Sequence, residues 1–234
     1  MKKILKNKIT LVRFLSRFLF VIALFFGLVS WKILSIFILI SAIVIGPLFC
    51  GWLCPYGFYQ DVCRYIGKFI RKKPFEINDK WHKYLQVLRY VVFILSLIIG
   101  GLFLLPSDIL KSFSYYIAKK EVAINGILYF MIFVGFLSLF TKRFFCRYLC
   151  IFGARQGLIS LFRIFTIKRD KNECISCRLC TKECLMKITV DDINTMYNPN
   201  CVNCYKCIEV CPKKCLKIGL RNYKDGKELF IDKK

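Results

Sequence analysis

Histidine, acidic residues and proline are all scarce in this chain. Its 234 residues include 1 His, 6 Pro and 14 Asp and Glu, against 38 Lys and Arg. The single histidine, His82, excludes a haem held between two histidines of one chain, and its place after Trp81 predicts a surface or anchor residue. The sequence also lacks a Gly-rich dinucleotide fingerprint, a nucleophile motif and paired catalytic carboxylates. These absences argue against enzymes that depend on such motifs.

Long apolar runs account for much of what the chain does contain. Hydrophobic residues make up 57% of the sequence, which is too apolar for a soluble domain with so many basic residues. The runs are residues 11–29, 33–49, 85–105 and 122–140. Each has roughly the 20 residues that a helix needs to cross a hydrocarbon core of about 30 Å, so an α-helical membrane protein with four transmembrane helices is predicted. Arg13, Arg17 and Arg89 lie near predicted inner ends, where they are expected to reach the lipid headgroups.

The basic residues predict the orientation of these helices. Only four of the 38 Lys and Arg, namely Lys32, Lys111, Lys119 and Lys120, fall in the two predicted outer loops. Because cytoplasmic loops are enriched in Lys and Arg, both termini are predicted in the cytoplasm, with the protein in the cytoplasmic (inner) membrane. The net charge of +24 then indicates topology and contact with the lipid bilayer, and no nucleic-acid partner is predicted.

All 14 cysteines fall on the predicted inner side of the membrane. A reducing compartment keeps such thiols available as metal ligands and argues against a disulfide framework. Cys63 and Cys215 lie outside the repeated motifs described next. They are predicted to be small buried hydrophobic residues.

The tail contains two C-x2-C-x2-C-x3-C runs, CISCRLCTKEC at 174–184 and CVNCYKCIEVC at 201–211. Three thiolates at this spacing bind one 4Fe-4S cubane, and the fourth reaches the neighbouring cluster. The predicted ligands of cluster 1 are Cys174, Cys177, Cys180 and Cys211, and those of cluster 2 are Cys201, Cys204, Cys207 and Cys184. Zinc is the alternative, but it favours two separated cysteine pairs around one ion. Two bound 4Fe-4S clusters are therefore predicted.

The chain is predicted to divide near residue 167. Residues 1–167 would form a membrane domain of two helical-hairpin repeats, each ending in C-x3-C and an interfacial helix. Residues 168–234 would form a small α+β module like a bacterial two-cluster ferredoxin, closed by a hairpin at Asp225–Gly226.

The two cysteine runs differ in the residue that follows the last cysteine. Leu185 follows the first run, whereas Pro212 follows the second.

Each membrane repeat ends in a pair of cysteines, Cys50 and Cys54 in CGWLC and Cys146 and Cys150 in CRYLC. Residues four apart on a helix share a face, so each pair is predicted to present two sulfurs side by side. If the repeats pack about a pseudo-twofold axis, the four sulfurs converge at the inner membrane surface. The hypothesis is that they bind a third metal centre or act as reversible dithiols, and purely structural thiols are the alternative.

Together these motifs give the chain a family resemblance. The sequence resembles the polyferredoxin-like membrane proteins that include NapH-type quinol dehydrogenase components, NosR-like proteins and related oxidase-assembly reductases. The resemblance covers nearly the whole chain, since it rests on the four spans, CGWLCP at 50–55, CRYLC at 146–150 and the two ferredoxin runs. The family motif is C-x3-C-P, and this chain keeps Pro55 but has Ile151 in the second copy.

The resemblance implies electron transfer between the membrane quinone pool and a redox partner protein. The predicted function is an iron-sulfur relay of single electrons, as the quinol-oxidising membrane subunit of a quinol dehydrogenase-type oxidoreductase. Asp61 would then either accept a quinol proton or lie on an ordinary solvated helix face. Two other functions stay open, an assembly or maturation reductase that reduces a metal or thiol for another membrane enzyme, and a redox-sensing membrane anchor.

Overall fold

A computed structural model describes most of the chain, namely residues 8–27, 29–71, 74–75, 77–98 and 124–221. The predicted outer-loop residues Lys111, Lys119 and Lys120 and the hairpin predicted at Asp225–Gly226 lie outside these residues. Parts of the third and fourth predicted membrane spans lie outside them as well.

Helices dominate the described residues before the tail. In chain order they are α1 (Lys8–Phe25), α2 (Trp31–Val44), α3 (Leu48–Trp52), α4 (Pro55–Ile70), α5 (Asp79–Ile98), α6 (Ile124–Phe140), α7 (Phe144–Tyr148) and α8 (Ile151–Ile159), followed by a 3-10 turn (Ser160–Phe162). The helical prediction is confirmed for this part of the chain. Gly46, with φ of +109°, and Pro47 separate α2 from α3, since neither residue continues a helix readily.

The described helices differ from the predicted membrane spans in length and apolarity. Across the described residues, no helix taken alone is both long and apolar enough to cross a membrane. One pair of helices meets the length and composition requirement jointly, Lys32–Val44 with Leu48–Ile70, and the two are bent by 104° at the break. Four membrane-spanning helices therefore stay a prediction.

The tail folds as a small α+β arrangement. Strand β1 (Phe165–Arg169) pairs antiparallel with β2 (Leu216–Leu220), with Phe165 opposite Leu220 and Arg169 opposite Leu216. Two short helices, α9 (Leu179–Glu183) and α10 (Lys206–Glu209), lie between the strands in sequence. Because the strands join the two ends of this segment, both cysteine runs are confined between them.

The chain forms two compact units. The first unit combines residues 1–17, 31–54 and 156–234, and the second combines residues 18–30 and 55–155. The first unit thus includes the tail together with α2, α3 and the start of α1. The predicted division into residues 1–167 and 168–234 stays a prediction.

The hydrophobic core of the first unit contains or contacts cysteines of the two runs. Its buried members are Ile167, Met186, Ile188, Val190, Met196, Val202 and Leu216, with Cys201, Cys207 and Cys215. Arg163 is buried in the same unit, at 1% exposure. Its Nη1 donates to Asn203 Oδ1 at 3.4 Å, and its Nη2 donates to the Met196 carbonyl oxygen. These bonds compensate part of the cost of removing a guanidinium from water.

In the second unit, α4 packs closely along α6. Gly67 allows this approach, since a Cβ at that position would overlap the backbone of Leu139. Arg64 on the same helix donates from Nη1 to the Leu139 carbonyl oxygen at 2.6 Å, and Tyr59 donates from its hydroxyl to the Met131 carbonyl oxygen at 2.9 Å. Side-chain donors therefore add to a contact that a small residue makes possible.

The prediction that three arginines reach lipid headgroups is wrong. Arg13, Arg17 and Arg89 are 6%, 2% and 1% exposed. Arg17 donates to the carbonyl oxygen of Gly51, and Arg89 donates to that of Cys146 at 3.3 Å. Each of these two guanidiniums thus bonds to the backbone of a C-x3-C segment within its own unit. The charge-assisted hydrogen bonds to that backbone replace the expected interaction with lipid headgroups.

Candidate metal centres

The four cysteines predicted to bind cluster 1 all line one cleft of the tail. These cysteines are Cys174, Cys177, Cys180 and Cys211. The cleft has a volume of ≈ 360 Å³, which includes the part that is open to solvent. Cys177 is exposed, and the other three are half-buried. The structure therefore brings the last cysteine of the second run beside the first three of the first run, although their role as ligands stays a prediction.

The other four cysteines form a second, more buried group. The pKa of Cys184 is raised to about 11, chiefly by burial and also by repulsion from the nearby Cys204 and Cys201 thiolates. Burial likewise raises the pKa of Cys207, with additional repulsion from Cys204, Cys201 and Cys184. Since each thiol is affected by the charge of the others, Cys184 lies together with the first three cysteines of the second run. This grouping matches the predicted ligands of cluster 2, which stay a prediction.

The backbone around the two groups repeats at a spacing of 27 residues. Left-handed φ values occur at three matched pairs of positions, Ser176 and Asn203, Arg178 and Tyr205, and Lys187 and Lys214. Non-glycine residues seldom adopt this conformation, and alternation between right- and left-handed residues points successive N–H groups into a concavity that suits anions, including iron-sulfur clusters. The two runs thus have the same local fold.

Backbone N–H groups hydrogen-bond to the cysteine sulfurs at matched positions. The N–H of Ser176 holds the pKa of Cys174 below its usual value. The N–H of Asn203 acts in the same direction on Cys201, where burial nevertheless raises the pKa. The N–H of Ile188 donates to Cys184 Sγ at 3.4 Å. Donors to sulfur stabilise thiolates and tune cluster potentials, so the residues present fit 4Fe-4S clusters.

A single metal ion is a different case. In the part of the chain that the structure describes, no three His, Cys, Asp or Glu side chains converge as ligands of one ion. A cubane differs from such a site because each of its four thiolates binds a different iron.

Each C-x3-C motif is a helix end, and the prediction that its two cysteines share one helix face is wrong. Helix α3 ends at Trp52, and the N–H groups of Leu53 and Cys54 both donate to the Phe49 carbonyl oxygen, at 2.9 and 2.8 Å. The second copy is the same, with the N–H groups of Leu149 and Cys150 donating to Phe145 at 2.9 and 3.0 Å. A new helix starts directly after the second cysteine in both copies.

The first cysteine pair belongs to the unit that contains the tail. Cys50 packs against the hydrophobic core of that unit, and a Cβ at Gly51 would overlap the Val202 carbonyl oxygen. Trp52 donates from Nε1 to the Asn203 carbonyl oxygen at 3.0 Å, and its ring centre lies 6.2 Å from that of Tyr205. The segment between Cys50 and Cys54 is therefore in direct contact with the loop that holds Cys201 and Cys204.

The second cysteine pair lies in the other unit and has its own polar surroundings. Gln60 is fully buried, and its Nε2 donates to Cys146 Sγ at 3.1 Å. Cys150 Sγ accepts the N–H of Gly153 at 3.3 Å, which places this thiol at the beginning of α8. Because the pairs belong to different units, the hypothesis of one centre shared by Cys50, Cys54, Cys146 and Cys150 stays a prediction.

Two other residues differ from what the sequence suggested. His82 is 3% exposed, so its prediction as a surface residue is wrong, and its Nδ1 lies 2.7 Å from the hydroxyl oxygen of Tyr148, in the middle of CRYLC. Asp61 forms an ion pair with Arg143 at 2.7 Å, with Arg143 only 1% exposed. Both contacts join residues that are far apart in sequence, and no local pattern signals them.

Cys215 is a site residue that sequence reasoning missed. It is buried as predicted, but its Sγ lies 3.4 Å from Cys211 Sγ, and it lines the same cleft as the cluster 1 cysteines. The signal that was available is its position four residues after Cys211, where the first run has Ile188.

Comparison with known proteins agrees with this duplicated, cysteine-rich organisation. A family described as "4Fe-4S binding domain" matches twice, over residues 28–74 and 123–169, and a "4Fe-4S dicluster domain" matches residues 166–212. An uncharacterized protein of Methanocaldococcus jannaschii is 31% identical over 216 residues, covering 90% of this chain and 78% of that protein. The ferredoxin-type protein NapH of Haemophilus influenzae is 26% identical, covering 80% of this chain and 67% of NapH.

Further relatives include YccM of Escherichia coli, which is 31% identical over 77% of this chain and 52% of its own length, and proteins named NirI and NosR. The chain belongs to the NapH/NosR-like family of ferredoxin-type proteins. The predicted family is thereby confirmed, as is the presence of 4Fe-4S-binding domains. The same family model thus covers both C-x3-C motifs, and the division of residues 1–167 into two membrane hairpin repeats stays a prediction. No solved structure matches the chain.

Proposed function

We propose that this protein is an iron-sulfur electron-transport protein of the cytoplasmic membrane that relays single electrons from quinol to a redox partner protein. Cluster 1 would be held by Cys174, Cys177, Cys180 and Cys211, and cluster 2 by Cys201, Cys204, Cys207 and Cys184. The clusters would supply the one-electron chemistry, and the chain would hold and orient them and keep cluster 2 away from water.

One observation carries the proposal, the contact of the first C-x3-C segment with the loop of cluster 2. Gly51 meets Val202, and Trp52 hydrogen-bonds to Asn203 at 3.0 Å. This segment directly follows the second predicted membrane span, so it would place cluster 2 next to the membrane surface. Cluster 2 would therefore be the point at which electrons enter the tail.

The exposure of the thiols supports an order for the relay. Cys201 and Cys207 are buried, whereas Cys177 is exposed and opens the cleft of cluster 1 to solvent. Arg169, Arg178 and Lys213 line the same cleft against one carboxylate, Asp191, so basic residues are in excess there. Cluster 1 would be the exit, and a redox partner with an acidic surface would approach it there.

The number of clusters suits quinol as the donor. Oxidation of quinol to quinone releases two electrons and two protons, and a 4Fe-4S cluster accepts one electron at a time. Two clusters could accept both electrons of one quinol and pass them on singly, while the protons go to water or to side chains at the quinol site.

Exposed apolar side chains support a membrane location. On α1, Phe14, Leu15, Phe18 and Leu19 are 45%, 50%, 50% and 58% exposed. Helices α2, α5 and α6 have comparable rows, and Ile33 is 72% exposed. Apolar surface of this extent suits contact with lipid. The four spans at 11–29, 33–49, 85–105 and 122–140, both termini in the cytoplasm, and the domains 1–167 and 168–234 belong to this proposal.

The test uses anaerobic membranes or the purified full-length chain. Dithionite should reduce two 4Fe-4S clusters, visible by EPR, and a quinol analogue should reduce the same clusters and pass electrons to a soluble acceptor. Clusters that dithionite reduces and quinol leaves oxidised would contradict the quinol donor. Reduction of cupric ion in place of quinol oxidation would identify the protein as an assembly or maturation reductase.

A redox-sensing function is a second candidate, because two relatives are named "Regulatory protein NosR". A sensor would cycle its clusters once per signal and would show no turnover with quinol and acceptor. Steady-state turnover therefore separates the two functions.

A third metal centre at Cys50, Cys54, Cys146 and Cys150 would be detected by counting iron. Three cubanes require about 12 irons per chain, and two require about 8. About 8 irons, with the four thiols freely alkylated, would reject the third cubane.

A further inference from the structure

Cys215 gives the cleft of cluster 1 a fifth thiol. Its side chain is 4% exposed, and its Sγ lies 3.4 Å from Cys211 Sγ. Cys174, Cys177 and Cys180 line the same cleft. Cys215 therefore touches one predicted ligand of cluster 1 and shares the cleft with the other three.

The duplicated runs provide an internal comparison. Twenty-seven residues before Cys215, the matching position holds Ile188, which is likewise buried at 3% exposure. The backbone N–H of Ile188 donates to the sulfur of Cys184 at 3.4 Å, and its hydrocarbon side chain has no hydrogen-bond donor. The extra thiol is thus a feature of one group of cysteines and has no counterpart in the other.

We propose that Cys215 is a positioning residue that donates an S–H···S hydrogen bond to the cluster 1 ligand Cys211 and so raises the reduction potential of cluster 1 relative to cluster 2. The inference rests on the cluster ligands of the proposed function. Reduction adds negative charge to a cluster, and a donor to one of its sulfurs stabilises the more negative form. Because Cys211 would bind iron as a thiolate, Cys215 is the partner in this 3.4 Å contact that has a proton to donate.

A higher reduction potential at cluster 1 than at cluster 2 would draw electrons from cluster 2 toward cluster 1. It agrees with the direction proposed above, in which cluster 1 is the exit. Cys215 would act through Cys211 and would not itself bind iron.

The experiment exchanges the two matched residues in the full-length protein. Cys215→Ile gives the cleft the side chain of the first run, and Ile188→Cys gives the other group a thiol. Cys215→Ser keeps a donor in nearly the same volume. Each variant is titrated anaerobically against ambient potential with EPR detection, and the cluster 1 signal is assigned as the one altered in Cys177→Ala.

In Cys215→Ile, the ratio of reduced to oxidised cluster 1 at a fixed potential should fall about fivefold, because one hydrogen bond is worth about 1 kcal/mol. For one electron, this change lowers the reduction potential of cluster 1 by about 40 mV, since about 59 mV corresponds to a factor of ten. Cys215→Ser should stay close to the unmodified protein, and Ile188→Cys should shift cluster 2 upward. Cluster 2 should not move in the Cys215 variants.

An unchanged cluster 1 potential in Cys215→Ile, or an equal shift of both clusters, would overturn the inference. Loss of cluster 1 from Cys215→Ser would also overturn it, because a hydroxyl donor should suffice. Absence of both clusters from the unmodified protein would instead overturn the proposed function, so the two failures are distinguishable.

Discussion

The indole Nε1 of Trp52 donates to the carbonyl oxygen of Asn203 at 3.0 Å. Trp52 lies between the cysteines of the first C-x3-C motif, and Asn203 lies between Cys201 and Cys204 of the tail. Asn203 in turn donates from Nδ2 to the Ile45 carbonyl oxygen, just before α3. Two residues from distant parts of the sequence thus join the first C-x3-C motif to the predicted loop of cluster 2.

Replacement of this indole should weaken cluster 2. Trp52→Phe removes the donor and leaves a buried carbonyl oxygen unsatisfied, at a cost of about 1–3 kcal/mol. Cluster 2 should then be lost faster to an iron chelator, as followed by EPR, while cluster 1 is lost at the original rate. Trp81→Phe is the control, since Trp81 is 65% exposed. Equal chelation rates in all three proteins would show that the bond does not protect the cluster.

A side chain at Gly51 should separate the same two segments. In Gly51→Ala, the new Cβ would overlap the Val202 carbonyl oxygen, which belongs to the backbone and cannot move aside easily. The expected result is loss of cluster 2 from the purified protein, measured as iron and as EPR amplitude. Gly219→Ala is the control, because its Cβ would meet only the flexible Lys168 side chain, at 3.2 Å. A Gly51→Ala protein with full cluster content would contradict the close packing.

Arg163 should set the potential of cluster 2. Burial lowers the pKa of Arg163, and the adjacent Cys201 raises it, so the two groups interact electrostatically. A buried cation beside a ligand stabilises the reduced, more negative cluster. Arg163→Gln should lower the cluster 2 potential by roughly 60 mV, or about 1.4 kcal/mol for one electron. Arg155→Gln, on an exposed residue, should change neither cluster. A cluster 2 potential equal in both variants would exclude this role.

The cluster-free protein should show a defined order of thiol ionisation. Burial raises the pKa of Cys184 from 9.0 to about 11, so the stability it contributes is complete below about pH 9 and is lost as the pH rises toward 11. The backbone N–H of Ser176 instead holds the pKa of Cys174 below 9.0. Alkylation followed by mass spectrometry should give a lower pH midpoint for Cys174 than for Cys184. Coinciding midpoints would contradict the difference in environment.

The grouping of the tail cysteines could be predicted because chain length limits it. Three cysteines within seven residues can reach only one cubane, and the fourth is then free for the neighbour. The structure places Cys174, Cys177, Cys180 and Cys211 around one cleft, and the pKa of Cys207 is raised by repulsion from Cys184, Cys201 and Cys204. The assignment of these eight cysteines as cluster ligands stays a prediction.

The helix break at the second cysteine of each C-x3-C motif could not be predicted in the same way. Four-residue spacing fits a continuous helix, and Pro55 is well tolerated in the first turn of a new one. Yet the break recurs at Cys150, where Ile151 replaces proline, so proline is not its cause. Tertiary contacts decide the outcome, as they do for Arg17 and Arg89, whose partners are backbone groups of distant segments.

The makeup of the first unit bears on how the tail can be handled in the laboratory. A fragment beginning at residue 168 would contain all eight cysteines of the runs, yet it would leave behind Arg163, Trp52 and Arg13, which bond to Asn203 and Cys204. It would also lack Thr10, whose backbone N–H donates to Glu209 at 2.9 Å. In such a fragment, a surface that is covered in the intact protein would be exposed to solvent. Its cluster reduction potentials and its oxygen tolerance would therefore differ from those of the intact protein.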